Sequence, residues 1–346
     1  VVLAELFRFH GVTPVAIVGH SVGEVAASYI AGALSLEDAV TVIFHRSQQQ
    51  ARLAGRGAML AIGMSGRQAA EKLLPSYEDR VSVAALNSAK SATLAGEEAA
   101  LKELAARCDQ DGTFNRLLRV EVPYHSILME EIRDDLLNPL AALAPKNPSI
   151  ALYSTVTGTR WADDALHDAE YWYGNARQPV LFHDAIQNLM GDGHRVCLES
   201  GAQPVLGGLI RETAQQIDGD VAVIASLSRK DAEDTAIARS IAKLYMAAVP
   251  LDWSLLTGGH RTDLPHYAWS RSRFWSETEV SRKDRLDGTV HPVLGIPVSA
   301  SRPGWLADIN RNYMPWLPDH KVDGICLFPA AGYIEGGLAL HRQIER

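Results

Sequence analysis

The chain has 346 residues, 47% hydrophobic and 21% charged, with a formal net charge of −8. That composition fits a globular protein long enough for two ordinary domains or one large one, and the acidic balance excludes the basic footprint of a nucleic-acid binder. Three cysteines, Cys108, Cys197 and Cys326, are too few and too scattered for a disulfide framework or a zinc site.

The opening VVLAELFRFHGV predicts a short apolar helix. Glu5 and Arg8 interrupt it and no small-residue cleavage site follows, so it is not a signal peptide. It reads as the middle of a domain, and LALHRQIER stops inside a helix pattern, so both ends are expected to be cut from something larger. No run of about 18 apolar residues offers a membrane span, and a cytoplasmic location is expected.

VAIVG at 15–19 is a buried apolar strand, and helical spacing follows Ser21. Such alternation predicts a parallel sheet covered by helices. From Gly57 the pattern changes. AMLAIGM, GRQAAEKLL, VSVAALN, SATLAG, EEAALKELAARC and FNRLLRVEV read as strand, helix, strand, strand, helix, strand, which is the order of a ferredoxin-like unit inserted into the larger α/β domain. The α/β pattern then resumes. ILMEEIRDDLLNPLAAL is a helix, IALYSTVTG a strand, AIQNLM part of a helix, RVCLES and VAVIASL strands, and ARSIAKLYMAA a helix. After Pro250 the texture is irregular and aromatic, SETEVSRKDRLDG reads as a linker, and a new domain is expected to start at His291.

Gly19-His20-Ser21-Val22-Gly23 matches G-x-S-x-G. The pattern serves a sharp strand-to-helix turn that pushes a serine oxygen into the open, with glycines where side chains would collide. Alone it arises by chance in roughly one chain in ten of this size, usually as a surface loop. A strand before it and a helix after it favour the elbow. Ser21 then sits at a helix N-terminus, where the Val22 N–H can stabilise an oxyanion. A serine needs a base. The chain has 12 histidines; His20 should point away from Ser21, and spacing alone does not choose among the rest.

GHSVGE at 19–24 resembles the acyltransferase domains of type I polyketide synthases and the related malonyl-CoA:acyl-carrier-protein transacylases. Arg46, in FHRSQQQ, stands where that family has its carboxylate-binding arginine. VPYHS at 122–126 matches the histidine motif, YWYGNARQPVLF at 171–182 the segment whose main-chain carbonyl orients that histidine, and ESGAQPVL at 199–206 a turn near the domain's end. The resemblance implies Ser21 as nucleophile, His125 as base, Asn175 as the residue supplying the orienting carbonyl, and Arg46, His20 and Tyr124 as substrate contacts. It implies malonyl-type acyl-CoA as donor, the phosphopantetheine thiol of a carrier protein as acceptor, and no cofactor held by the chain itself. Tyr124 should narrow the pocket and favour malonyl over methylmalonyl. The family's upstream glycine–glutamine segment, which gives a second oxyanion donor, is not in this sequence.

HPVLG at 291–295 and PWLPDHKVDGICLFPAAGYIE at 315–335 resemble the start of a polyketide synthase dehydratase, with His320, Gly324 and Pro329 fitting H-x-x-x-G-x-x-x-x-P. In that family's double hot-dog, His320 would be a base whose acid comes from the second half. LPHYAWSRSRFW resembles the linker after such acyltransferases. The expected organisation is an α/β acyltransferase domain over 1–228 with a ferredoxin-like subdomain at 57–121, a linker over 229–290, and the start of an α+β hot-dog dehydratase over 291–346. Two alternatives remain at this point: an α/β-hydrolase esterase or thioesterase, which shares the elbow but usually places its histidine late in the chain, and a non-catalytic scaffold, which would need none of Ser21, Arg46 and His125.

Overall fold

The computed structural model describes residues 1–77, 79–162, 167–217, 219–229, 232–256, 262–272, 274–279, 281, 290–298, 300–310 and 314–345. The chain divides into two compact units, residues 1–261 and 262–346.

In the first unit α1 (Val2–Phe9) leads to β1 (Ala16–Val18), which pairs in parallel with β6 (Ala151–Tyr153). Helices α2 (Gly23–Ile30) and α3 (Leu36–Ala51) follow β1. Ser35 caps α3 by accepting the Asp38 amide, which satisfies one of the helix's free N–H groups. Next come β2 (Ala58–Ile62), α4 (Gly66–Lys72), β3 (Val81–Ser88), β4 (Ser91–Gly96), α5 (Glu98–Gln110) and β5 (Asn115–Leu117). Their sheet has the order β3-β4-β2-β5 and is antiparallel throughout, the arrangement of a ferredoxin-like unit, as the element order predicts. Ser65 and Gln68 form a capping box at the start of α4, and Leu60, Ile62, Leu94, Leu101 and Leu104 fill the space between sheet and helices. Only three residues of the expected strand FNRLLRVEV pair as β5.

The single helix expected from Ile127 is a 3-10 turn (Ile127–Ile132) running into α6 (Arg133–Leu140). After β6 come α7 (Ala169–Arg177), α8 (Phe182–Gly191), β7 (Val196–Glu199), α9 (Gly207–Gln216), β8 (Ala222–Ala225) and α10 (Glu233–Met246), with β7 and β8 parallel. Parallel strands are thus present, as two separate pairs among the described residues. Trp172 of α7 is fully buried against Val25, Val42, Leu136 and Leu140, fixing α2, α3, α6 and α7 as one layer. Ile237, Ile241 and Leu244 of α10, at helical spacing, cover Phe7, Val12 and Ile224. Helix α10 therefore belongs to this unit's core rather than to a linker beginning at 229. A short α11 (Trp253–Leu256) follows.

The second unit holds the antiparallel pairs β9 (Ile296–Val298) with β10 (Gly304–Leu306) and β11 (Lys321–Val322) with β12 (Ile325–Cys326), then α12 (Ala330–Ile344). Most of the predicted linker SETEVSRKDRLDG lies outside the described residues. Among the described residues no helix is long and apolar enough to cross a membrane.

Candidate active site

Ser21 stands between β1 and α2 with φ +52°, a left-handed conformation that a non-glycine residue adopts only where the surroundings impose it. Gly19 makes this turn possible: a Cβ there would lie 2.4 Å from the Glu24 backbone. Gly23 differs from the expectation. A Cβ on it would meet nothing within 4 Å, so no collision requires glycine there. Val22 is half exposed and immediately precedes α2, which puts its N–H at the positive end of the helix.

Ser21 Oγ lies 2.7 Å from His125 Nε2, and His125 Nδ1 lies 2.9 Å from the Gln178 carbonyl oxygen. A carbonyl only accepts, so Nδ1 carries the proton and Nε2 is the acceptor facing the serine hydroxyl. Burial, with the Arg46 charge adding to it, lowers the His125 pKa to about 3, so the ring is neutral at neutral pH.

The orienting carbonyl is therefore Gln178's and not that of Asn175, three residues earlier. Asn175 lies inside α7, and the residue one turn on is Pro179, which has no N–H to give its carbonyl, yet the carbonyl that meets His125 is that of Gln178. Gln178 follows the helix with extended backbone (φ −75°, ψ 157°) and precedes Pro179, which disfavours helical geometry. Its carbonyl is released toward His125.

Asn175 does a different job with its buried side chain. Its Oδ1 accepts from Arg46 Nη1 at 2.5 Å, and its Nδ2 donates to Glu24 Oε2 at 2.9 Å and to the Ser21 carbonyl at 3.3 Å. Arg46, on α3, is buried. Its Nη2 reaches Ser21 Oγ at 3.2 Å, and its Nε finds no partner among the described residues. Burial lowers the Arg46 pKa to about 10, with the Glu24 charge opposing, and the guanidinium stays charged at neutral pH. Spacing gave no hint of Glu24, which is fully buried.

His20 Nε2 is 3.0 Å from Asn87 Oδ1 on β3, and its ring meets the Phe182 ring edge-on. Its side-chain hydrogen bond goes to Asn87 rather than to Ser21. Tyr124 is half-buried between Leu53, Met129 and Ile132 on one side and Met59 and Ala84 on the other.

His320 lies in the second unit. Its Nδ1 is 2.9 Å from the Leu327 carbonyl oxygen, leaving Nε2 as the acceptor. Asp323 and Gly324, both at positive φ, make the tight turn between β11 and β12. Pro329 is the N-cap of α12, so the three motif residues mark a strand entry, a turn and a helix start.

A parallel β1–β6 pair, a strained serine between strand and helix, and a histidine held in the acceptor tautomer define a nucleophile-elbow α/β protein built for acyl chemistry. The acyl transferase domain family model matches residues 1–249, and that of the polyketide synthase dehydratase domain matches residues 291–346. The chain belongs to the acyltransferase domains of polyketide synthases, followed by the start of a dehydratase domain. It is 39% identical over 344 residues to the mycoketide-CoA synthase of Mycobacterium tuberculosis, covering 96% of this chain and 8% of that protein. It is 37% identical over 347 residues to a mycocerosic acid synthase-like polyketide synthase of Mycolicibacterium smegmatis, covering 98% and 16%. The chain thus spans a small part of these curated relatives. Among solved structures, the acyltransferase domain from module 8 of the salinomycin polyketide synthase matches with a TM-score of 0.70 at 35% identity, covering 73% of this chain and 59% of that one. A loading acyltransferase from the avermectin synthase matches with a TM-score of 0.66 at 34% identity, covering 70% and 76%.

Proposed function

We propose that the protein moves a malonyl-type acyl group from coenzyme A to the phosphopantetheine thiol of a carrier protein through an ester on Ser21. The observation that carries this reading is the buried Arg46. Its Nη1 is committed to Asn175, while Nε has no partner among the described residues and sits beside an Nη2 that already reaches the nucleophile. That edge of a guanidinium matches a carboxylate through two parallel hydrogen bonds. A hydrolase of neutral esters has no use for a buried cation there.

His125 Nε2 takes the Ser21 proton as Oγ attacks the thioester carbonyl, and the Val22 N–H supports the oxyanion. The C–S bond breaks and the coenzyme A sulfur leaves with the proton from His125. The carrier thiol then attacks the acyl-serine by the reverse sequence, giving its proton to His125. Burial lowers the His125 pKa most, and a carboxylate docked on Arg46 offsets the further lowering that the Arg46 charge adds, so the base strengthens as substrate arrives. Tyr124 and His20 are assigned to the pocket wall. His320 is assigned the base role of a dehydratase. Its Nδ1 is held by the Leu327 carbonyl, which leaves Nε2 to take the proton.

The test is the fate of malonyl-loaded protein offered a carrier protein in the pantetheinylated and unmodified forms. Transfer to the pantetheinylated form faster than loss to water supports the reading. Equal release with either form would make the protein a thioesterase.

A further inference from the structure

Glu24 is fully buried in the first turn of α2, three residues after the nucleophile. A carboxyl in such a place is costly unless its oxygens are filled. Oε1 accepts from the Thr155 amide at 3.2 Å and from the Tyr171 hydroxyl, and Oε2 accepts from the Thr155 hydroxyl at 2.8 Å and from Asn175 Nδ2 at 2.9 Å. All four groups donate to the carboxyl, which is the environment of an anion. Burial raises the Glu24 pKa, and the hydrogen bonds from Tyr171 and Thr155 oppose the rise.

The same bonds fix Asn175. With Nδ2 spent on Glu24 and on the Ser21 carbonyl, the amide cannot flip without losing both, so Oδ1 must face Arg46 Nη1. Holding Nη1 sets the rotation of the planar guanidinium, and with it the direction of the Nε/Nη2 edge. We propose that Glu24 is a positioning residue: acting through Asn175, it fixes the orientation of Arg46 and balances its charge, so that the free edge of the guanidinium is aimed at the acyl carboxylate beside Ser21. This rests on the reading of Arg46 as a carboxylate clamp.

The competing role for Glu24 is purely architectural, tying α2 to β6 and α7. The two separate in a substrate comparison. Single-turnover acylation of Ser21 by malonyl-CoA and by acetyl-CoA is followed by intact mass in the wild type, Glu24→Gln, Asn175→Ser, Arg46→Ala and the Glu24→Gln/Arg46→Ala pair. Glutamine keeps the shape and removes the charge, and serine at 175 breaks the relay while leaving Glu24 in place. Each single change is expected to lower the malonyl-to-acetyl rate ratio by about tenfold or more, and Glu24→Gln is expected to add nothing to that ratio once Arg46 is alanine. Equal losses for the two substrates in Glu24→Gln and Asn175→Ser, with Arg46→Ala alone shifting the ratio, would overturn the role of Glu24 and leave the clamp standing. An unchanged ratio in Arg46→Ala would overturn the clamp, and the Glu24 proposal with it. If Glu24→Gln fails to fold, Asn175→Ser decides by the same criterion.

Discussion

Replacing Arg46 by alanine tests the chemistry of the site through one side chain. The guanidinium offers Nε and Nη2 to an incoming carboxylate, and a hydrogen bond to a charged group contributes about 1.5–3 kcal/mol. Allowing for water that replaces part of the contact in the variant, a loss of about 3 kcal/mol is expected, which is a rate loss of roughly 150-fold for malonyl transfer. Acetyl groups make no such contact and should lose little or gain. The change also leaves Asn175 Oδ1 without its donor, so stability should fall by about 1–3 kcal/mol, read from urea unfolding and kept separate from the rates. Lysine should restore part of the malonyl rate, since it supplies a point charge and no fork. The assay is single-turnover acylation with each coenzyme A thioester at matched folded-protein concentration. Equal rate losses for malonyl and acetyl would refute the reasoning and make Arg46 structural.

The elbow makes a paired prediction: Gly19→Ala should destabilise the protein by at least ~2 kcal/mol because its Cβ meets the Glu24 backbone at 2.4 Å, whereas Gly23→Ala should be neutral or stabilising by up to about 1 kcal/mol; denaturant midpoints measure both. His125, pushed down to about 3, stays neutral in the folded state over a range where the unfolded chain binds a proton. Its contribution is complete above about pH 6.5 and is lost as pH falls toward 3. His125→Gln should therefore flatten the pH dependence of stability in that window by about 1.4 kcal/mol per pH unit, and an unchanged slope would place the imidazole in water. Tyr124→Ser should raise methylmalonyl relative to malonyl use by about tenfold in a competition assay, the scale of a methyl-sized change, and an unchanged ratio would remove Tyr124 from the acyl pocket.

The elements whose signals are local were readable in the sequence. Val15–Gly19 followed by Ser21 gave strand, elbow and helix, and the strand–helix alternation from Gly57 gave the ferredoxin-like order. The partners of Ser21 are a different matter. His125 lies 104 residues away and only resemblance singles it out, because contact across such a distance leaves no period in the sequence. Gln178 is only partly legible: a helix must end before Pro179, but that leaves several carbonyls, Asn175's among them, without a helical amide, and only the extended backbone at Gln178 turns one of them to His125. Asn175, one turn earlier, carries the more eye-catching side chain, and that side chain turned out to serve Arg46. Nothing in the sequence sets Glu24 apart from any acidic residue in a helix's first turn, and only the packing of α7 and of Thr155, just past β6, around it reveals its burial. Helix α10 fell outside the expected domain because its apolar face answers α1, at the other end of the unit.

The central claim is that Ser21 carries the acyl group, and it is tested most directly by exposing the protein to malonyl-CoA, measuring its intact mass and mapping the modified peptide. A single malonyl adduct on Ser21, absent in Ser21→Ala with the fold retained by circular dichroism, is the predicted result. An adduct on another residue, or one that persists in Ser21→Ala, would contradict it.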